Sequence, residues 1–409
     1  MIAFDKWTLD NGLKVLLNTD TTTPLVSIAI IYDVGSKDED SLHTGYAHLF
    51  EHLMFGGSIN IPDYDQALQL AGGSNNAYTT NDLTCYYCTL PASNIETAFW
   101  LESDRMLSLA FTPKSLEVQR SVVIEEFKEH YLNAPYGDLY HLIHALNYTE
   151  HPYRWPTIGL DIQQIEQATM ADIRAFFARN YFPANAILAI SGNLSSARAH
   201  ELCDKWFAPI PKKQKIARNL PKEPERTKYY RQEVFREVPN NLLYLSFPMP
   251  GRRDLSYVYY DLLTDILSLG RGGRLTAELV RKRPIFTSLD ASVAGTIETG
   301  LVEFVGMVAD GIDMQEAEDA LWTELEKLHQ IAPDELQRVK NLYQTDALHQ
   351  EVKTARRAEL LAEYELYGDA NALNMRIEER ERVTTQDLEN LALQTFKHEQ
   401  CRALYYRSK

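Results

Sequence analysis

The sequence predicts an α+β chain of two homologous domains, each a mainly antiparallel sheet flanked by helices. Three observations predict it. The chain has 409 residues, too long for one ordinary core and enough for two domains of roughly 200 residues each. A stretch at about residues 208–232 is rich in Pro, Lys and Arg and poor in apolar periodicity, which is linker composition. On either side of it the same order recurs, strand then loop then helix, with the second set roughly 210 residues after the first. The expected domains are residues 1–215 and 225–409.

The elements read as follows. WTLDNGLKVLLNTD is a hairpin, because Asp10, Asn11 and Gly12 supply a turn between two apolar runs. Leu25 to Val34 is a strand rich in Val and Ile. A loop with Gly35, Ser36, Asp38, Glu39 and Asp40 leads to a helix carrying GYAHLFEHLMF. Pro62 opens another helix, since proline is tolerated in the first turn. AGGSNNAYTTNDLTCYYCTLP gives a glycine turn and strand-like residues, and Ile95–Leu109 and Lys114–His130 read as helices. Ala184 to Leu194 is a buried strand. After the linker, NNLLYLSFPMPG is a strand and DLSYVYYDLLTDILSLG a helix. IFTSLDASVAGTI and GLVEFVGMVA are strands, and two helices begin at Met314 and Pro333.

Composition narrows the function classes. A hydrophobic content of 45% with 24% charged residues is that of a globular protein, and no stretch approaches the ~20 apolar residues of a membrane span. The N-terminus lacks the basic start and apolar run of a signal peptide, so the expected home is cytoplasmic, or periplasmic if an export signal was removed. A net charge of −16 argues against nucleic-acid binding, which relies on Lys and Arg neutralising phosphates. Four cysteines are too few for a disulfide framework in a chain of this length. Cys85 and Cys88 form a CxxC on a strand, where residues three apart point to opposite faces, so a shared metal or redox pair is not expected.

His48-Leu49-Phe50-Glu51-His52 carries the chemistry. On a helix, His48 and His52 lie one turn apart on one face and can close on a single metal ion, while Glu51 borders that face as a general base. This is the HExxH zinc-peptidase set in reversed order. Catalytic zinc takes three protein ligands, and RSVVIEEFKEH offers the third. Adjacent residues on a helix diverge by about 100°, so only one of Glu125 and Glu126 faces the metal. Val122, Val123, Glu126 and Phe127 can share an inward side and Glu125, Lys128 and Glu129 a solvated one, which selects Glu126. The ligand set also accepts other divalent ions. Without its context, an HxxEH on a surface helix can equally be a solvated face or a structural metal site.

The context is GYAHLFEHLMFGGS, then GGSNNAYTTNDLTCYY, then RSVVIEEFKEH, with Glu126 78 positions after His48. These motifs resemble the M16 metallopeptidases, and the likeness continues through HPYRWPTIG, RNYFPANAILAISGNL and GRGGRLTAELVRKR over most of the chain. The resemblance implies one zinc ion per chain on His48, His52 and Glu126, with Glu51 as the base. It places Asn76 and Ala77 on an edge strand that receives peptide substrate. It implies the short subfamily, in which a two-domain chain forms half of a clamshell and works as one of a pair, favouring unfolded peptides.

Two departures from the family pattern stand out. Many members carry a Glu seven residues before the third ligand; here it is Gln119, which can hydrogen-bond but supplies no charge. The family's second half usually provides an Arg and a Tyr that hold the substrate carbonyl. In LVRKRPIFTSLDAS the Tyr position falls at Thr287, beside Phe286, and the Arg position near Val280 or Arg281, so the pair reads as lost. The expectation is therefore a zinc-bearing endopeptidase subunit whose homologous partner supplies Arg and Tyr. A non-catalytic peptide-binding or assembly subunit is the alternative, and turnover separates the two.

The remaining candidates carry less. His43 reads as an exposed loop residue, and His130 as a cation suited to a helix C-terminus. His141, His144 and His151 lack a carboxylate at ligand spacing. Gly270, Gly272 and Gly273 are not followed by the Lys-Ser or Lys-Thr of a phosphate loop.

Overall fold

The computed structural model describes residues 1–409. The first part of the chain forms β1 (Asp5–Thr8), β2 (Lys14–Thr19), β3 (Leu25–Tyr32), α1 (Tyr46–Leu53), α2 (Tyr64–Leu70), β4 (Ser74–Thr79) and β5 (Thr84–Pro91). It continues with α3 (Ile95–Leu107), α4 (Pro113–Phe127), α5 (Leu139–Asn147), α6 (Ile162–Glu166), α7 (Met170–Asn180), β6 (Ala186–Gly192) and α8 (Ser196–Trp206). Beyond the linker come β7 (Tyr230–Arg236), β8 (Leu242–Pro250), α9 (Tyr257–Ser268), β9 (Phe286–Ala294), β10 (Thr299–Val308) and α10 (Met314–Glu326). The chain ends with α11 (Pro333–Gln350), α12 (Thr354–Tyr367), α13 (Ala372–Arg382), α14 (Thr385–Thr395) and β11 (Arg402–Ser408).

The first sheet has the order β1-β2-β6-β3-β5-β4 and the second β7-β11-β8-β10-β9. In each, one pair is parallel, β2 with β6 and β11 with β7, and the other pairings are antiparallel. Without β1, the two sheets share one order and one pattern of polarity. The fold is α+β, with two mixed, mainly antiparallel sheets flanked by helices.

The compact units are not contiguous in sequence. The first comprises Met1–Asn133, Glu150–Lys222 and Leu348–Asn374; the second comprises Ala134–Thr149, Glu223–Ala347 and Met375–Lys409. The crossing at residues 222–223 falls inside the expected linker. The exchange of α5 and α12 has no counterpart in the composition. Its reason is burial: a sheet with apolar residues on both faces needs a cover on each. In the first unit α12 lies against β3 and β6, with Ala358, Leu361 and Ala362 fully buried. In the second, Leu146 on α5 clusters with Leu242, Tyr244, Leu404 and Tyr406.

The linker is bound rather than loose. Lys215 and Arg218 pair with Asp33, and Arg218 also with Asp38, within the first unit. Within the second, Arg226 donates to Asn147 Oδ1 at 2.6 Å.

A buried ion pair stands in the core of the first unit. Arg105, 2% exposed, donates from Nε and Nη2 to the Glu102 carboxylate at 2.7 Å each. Tyr64 hydroxyl donates to the same carboxylate at 2.6 Å. The guanidinium lies over the Tyr64 and Tyr86 rings, 4.6 and 4.4 Å from their centroids. Removing one partner strands a buried charge, so Arg105→Ala is expected to cost ~3–5 kcal/mol in chemical denaturation. Arg105→Met combined with Glu102→Leu should cost less than Arg105→Ala alone, because no charge is left unpaired. Equal losses would show that the packing, not the charge, dominates.

Candidate metal centre

The α1 sequence separates two stripes. Tyr46, Ala47, Leu49, Phe50 and Leu53 are buried, while His48, Glu51 and His52 occupy the intervening positions. Phe50 fixes the helix in an aromatic cluster with Phe111, Phe176, Phe177 and Tyr181. Gly45 at the N-cap has φ +83, and a Cβ there would lie 2.6 Å from the Ile158 carbonyl oxygen, so both backbone and space demand glycine. The helix N-terminus is capped from outside. Glu39 accepts the N–H groups of Ala47 at 2.6 Å and Gly45 at 3.0 Å. Burial pushes its carboxyl well up, against the pull of those two donors.

Helix α4 brings Glu126 to α1. It begins with a Thr112–Ser115 capping box and Pro113 in its first turn. Val123 and Phe127 are buried on its inner side, whereas Glu125 is exposed and pairs with Lys128 at 2.7 Å. Val122 departs from the expected inward side and is 46% exposed. It lies about 100° from Val123, which is the one of the two that turns into the core.

His48, His52 and Glu126 converge, with one ligand atom from each all within 4.8 Å of one another. Glu126 Oε1 lies 3.8 Å from His48 Nε2, and Oε2 lies 3.5 Å from His52 Nε2. Those separations are longer than good hydrogen bonds. They approach the ~3.4 Å between donor atoms in a tetrahedral zinc site with bonds near 2.1 Å. Two imidazoles and one carboxylate on three half-buried side chains therefore fit a zinc ion. Burial, reinforced by His52, holds the His48 imidazole well below its usual value, so it is neutral and ready to ligate at neutral pH. The His52 ring holds the Glu126 carboxyl below its usual range, outweighing partial burial, and His48 adds to the effect.

Glu51 is half-buried. Burial raises its carboxyl above the usual value; a hydrogen bond from Thr79 and the charge of His52 oppose this, and Glu126 adds to it. The Thr79 hydroxyl donates to Glu51 Oε2. Thr79 ends β4, which pairs only with β5 and leaves its other side open. Asn76 and Ala77 lie on this edge, and Asn76 Oδ1 accepts the Ala77 N–H at 2.8 Å.

Gln119 is half-buried on the α4 stripe of Glu126, but the metal-binding cluster does not include it. In the second unit, Thr287 is exposed at the start of β9 and its hydroxyl donates to the Met307 carbonyl at 3.3 Å, while Phe286 is buried. Val280 packs against that unit's core and Arg281 is exposed. All four cysteines are free and buried. No helix is long and apolar enough to cross a membrane.

Sequence reasoning missed Glu39 and Thr79. Glu39 sits eight residues before the N–H it accepts, beyond the spacing of a capping box. Thr79 meets Glu51 through packing of α1 on β4, which no local pattern records.

Two family models match the chain: Insulinase (Peptidase family M16) over residues 14–159, and Peptidase M16 inactive domain over residues 167–343. Zinc protease PqqE of Helicobacter pylori is 26% identical over 408 residues, covering 98% of this chain and 92% of that protein. The crystal structure of a protease from Helicobacter pylori has a TM-score of 0.94 at 26% identity and covers 100% of both chains. A Pseudomonas fluorescens structure, described as peptidase M16 inactive domain, shares the fold with a TM-score of 0.89 at 19% identity, covering 100% of this chain and 99% of that one. With its two halves matching the two domain types of one family, the chain belongs to the M16 peptidases, a family of zinc proteases.

Proposed function

We propose that this chain is a zinc-dependent endopeptidase that hydrolyses unfolded or short peptides. The observation that carries the reading is the convergence of His48, His52 and Glu126 on α1 and α4, with Glu51 on the same helix as two of them. Zinc would be held by those three side chains and would supply Lewis-acid activation of water and of the scissile carbonyl. The first compact unit would then be the catalytic domain, and the second a homologous domain without a metal site.

Glu51 acts as general base. Its carboxylate takes a proton from the attacking water and later delivers it to the leaving amine. A carboxyl raised by burial suits both halves of that task. The peptide adds as an extra strand beside β4, through backbone hydrogen bonds at Asn76 and Ala77. Recognition by backbone favours extended, unfolded segments over folded ones. Gln119 would at most support the site by hydrogen bonding.

The second unit offers Thr287 where the family pattern carries Tyr, and a threonine hydroxyl reaches less far. We infer that a homologous subunit supplies the missing Arg and Tyr. One such oxyanion donor is worth ~10²–10³ in kcat. Turnover of a quenched, unstructured peptide by the zinc-loaded chain should therefore be low and rise by about that factor on adding the subunit. A full rate from the chain alone, unchanged by any homologue, would sink the pairing idea while leaving the peptidase intact.

A further inference from the structure

We infer that Thr79 is a positioning residue for Glu51, holding the base in place from the strand that receives the peptide. This rests on the peptidase reading above. The Thr79 hydroxyl donates to Glu51 Oε2, since an ionised carboxylate can only accept. With Oε2 engaged, Oε1 is the oxygen left to take the proton.

The hydroxyl is itself held firmly. Threonine in a strand has few χ1 choices. Thr79 pairs with Thr84 of β5, whose hydroxyl donates to the Val34 carbonyl at 3.0 Å. One residue beyond Thr79, the β4–β5 turn carries the loop that leads to α1. Ser36 N–H donates to Thr80 O at 3.2 Å, and Lys37 N–H to Asn81 O at 3.0 Å. A buried Lys37–Asp82 ion pair of 2.8 Å closes the same junction. The strand end and the approach to α1 therefore form one frame, and Thr79 is its link to the base. Asn76 and Ala77 lie three and two positions earlier on the same strand, so the residues that align the peptide and the residue that aligns the base share one backbone segment.

The test uses Thr79→Val, which keeps the shape and loses the hydroxyl, and Thr79→Ser, which keeps the hydroxyl. Crystal structures of the metal-free variants read the Glu51 side chain directly. Cleavage of a quenched unstructured peptide by the zinc-loaded proteins, with the homologous subunit present, reads catalysis. In Thr79→Val the Glu51 carboxylate should leave its present rotamer, and kcat should fall ~10–100-fold with KM within about twofold. Thr79→Ser should restore both. An unmoved Glu51 in Thr79→Val, or an equal loss in the Ser and Val variants, overturns the inference. Turnover surviving in Glu51→Gln would instead overturn the general-base reading, and the Glu51 rotamer would still decide the role of Thr79.

Discussion

His52→Ala should lose both zinc and turnover. The donor atoms of His48, His52 and Glu126 already lie within 4.8 Å of one another, so each is a direct ligand in this account. Losing a direct ligand should weaken zinc by more than the roughly 10–100-fold that an outer-shell partner is worth. Metal competes with protons for its ligands. Burial holds the His48 imidazole well below its usual value, which weakens that competition at this ligand near pH 7. A chelator should reproduce the variant in the wild type, and added zinc should rescue the wild type but not His52→Ala. Metal analysis beside an activity assay checks this. Full zinc occupancy in His52→Ala would move the metal to other residues.

Glu51→Gln separates chemistry from metal binding. Glutamine keeps the size and can still accept from Thr79, but it cannot take a proton at neutral pH. Positioned general bases contribute ~10²–10⁴-fold, so turnover should fall by that factor. Zinc should remain at one per chain, because Glu51 is outside the three-residue cluster. The contrast with His52→Ala is diagnostic, since one variant loses the ion and the other keeps it. If Glu51→Gln lost zinc as well, Glu51 would be a ligand and the base would lie elsewhere.

How much of this site was legible in the sequence follows the range of the interactions. His48, Glu51 and His52 are set by helix periodicity over five residues, which a sequence displays directly. Glu126 was legible because Val123 and Phe127 on its inner side are apolar and buried, even though Val122 turned outward. The opposed faces of Cys85 and Cys88 were likewise legible, but the burial of both was not. It depends on α12, supplied from Thr354–Tyr367 and lying against the same sheet. The parallel pairing of β2 with β6 joins segments separated by most of the first unit, and nothing local encodes it. Glu39 and Thr79 belong to the same class. Each acts through a contact that exists only once α1 has packed against the loop before it and the strand beneath it.

The most direct test of the central claim is digestion of a mixed library of unstructured peptides, read by mass spectrometry of new termini. The zinc-loaded wild type and Glu51→Gln would be compared, each alone and with a homologous subunit. The wild type should cleave the library, more with the subunit and not at all with a chelator, and Glu51→Gln should give little or no cleavage. Equal cleavage by both proteins would contradict the role of Glu51. No cleavage by the wild type in any combination would contradict the peptidase itself and favour a non-catalytic peptide-binding or assembly subunit.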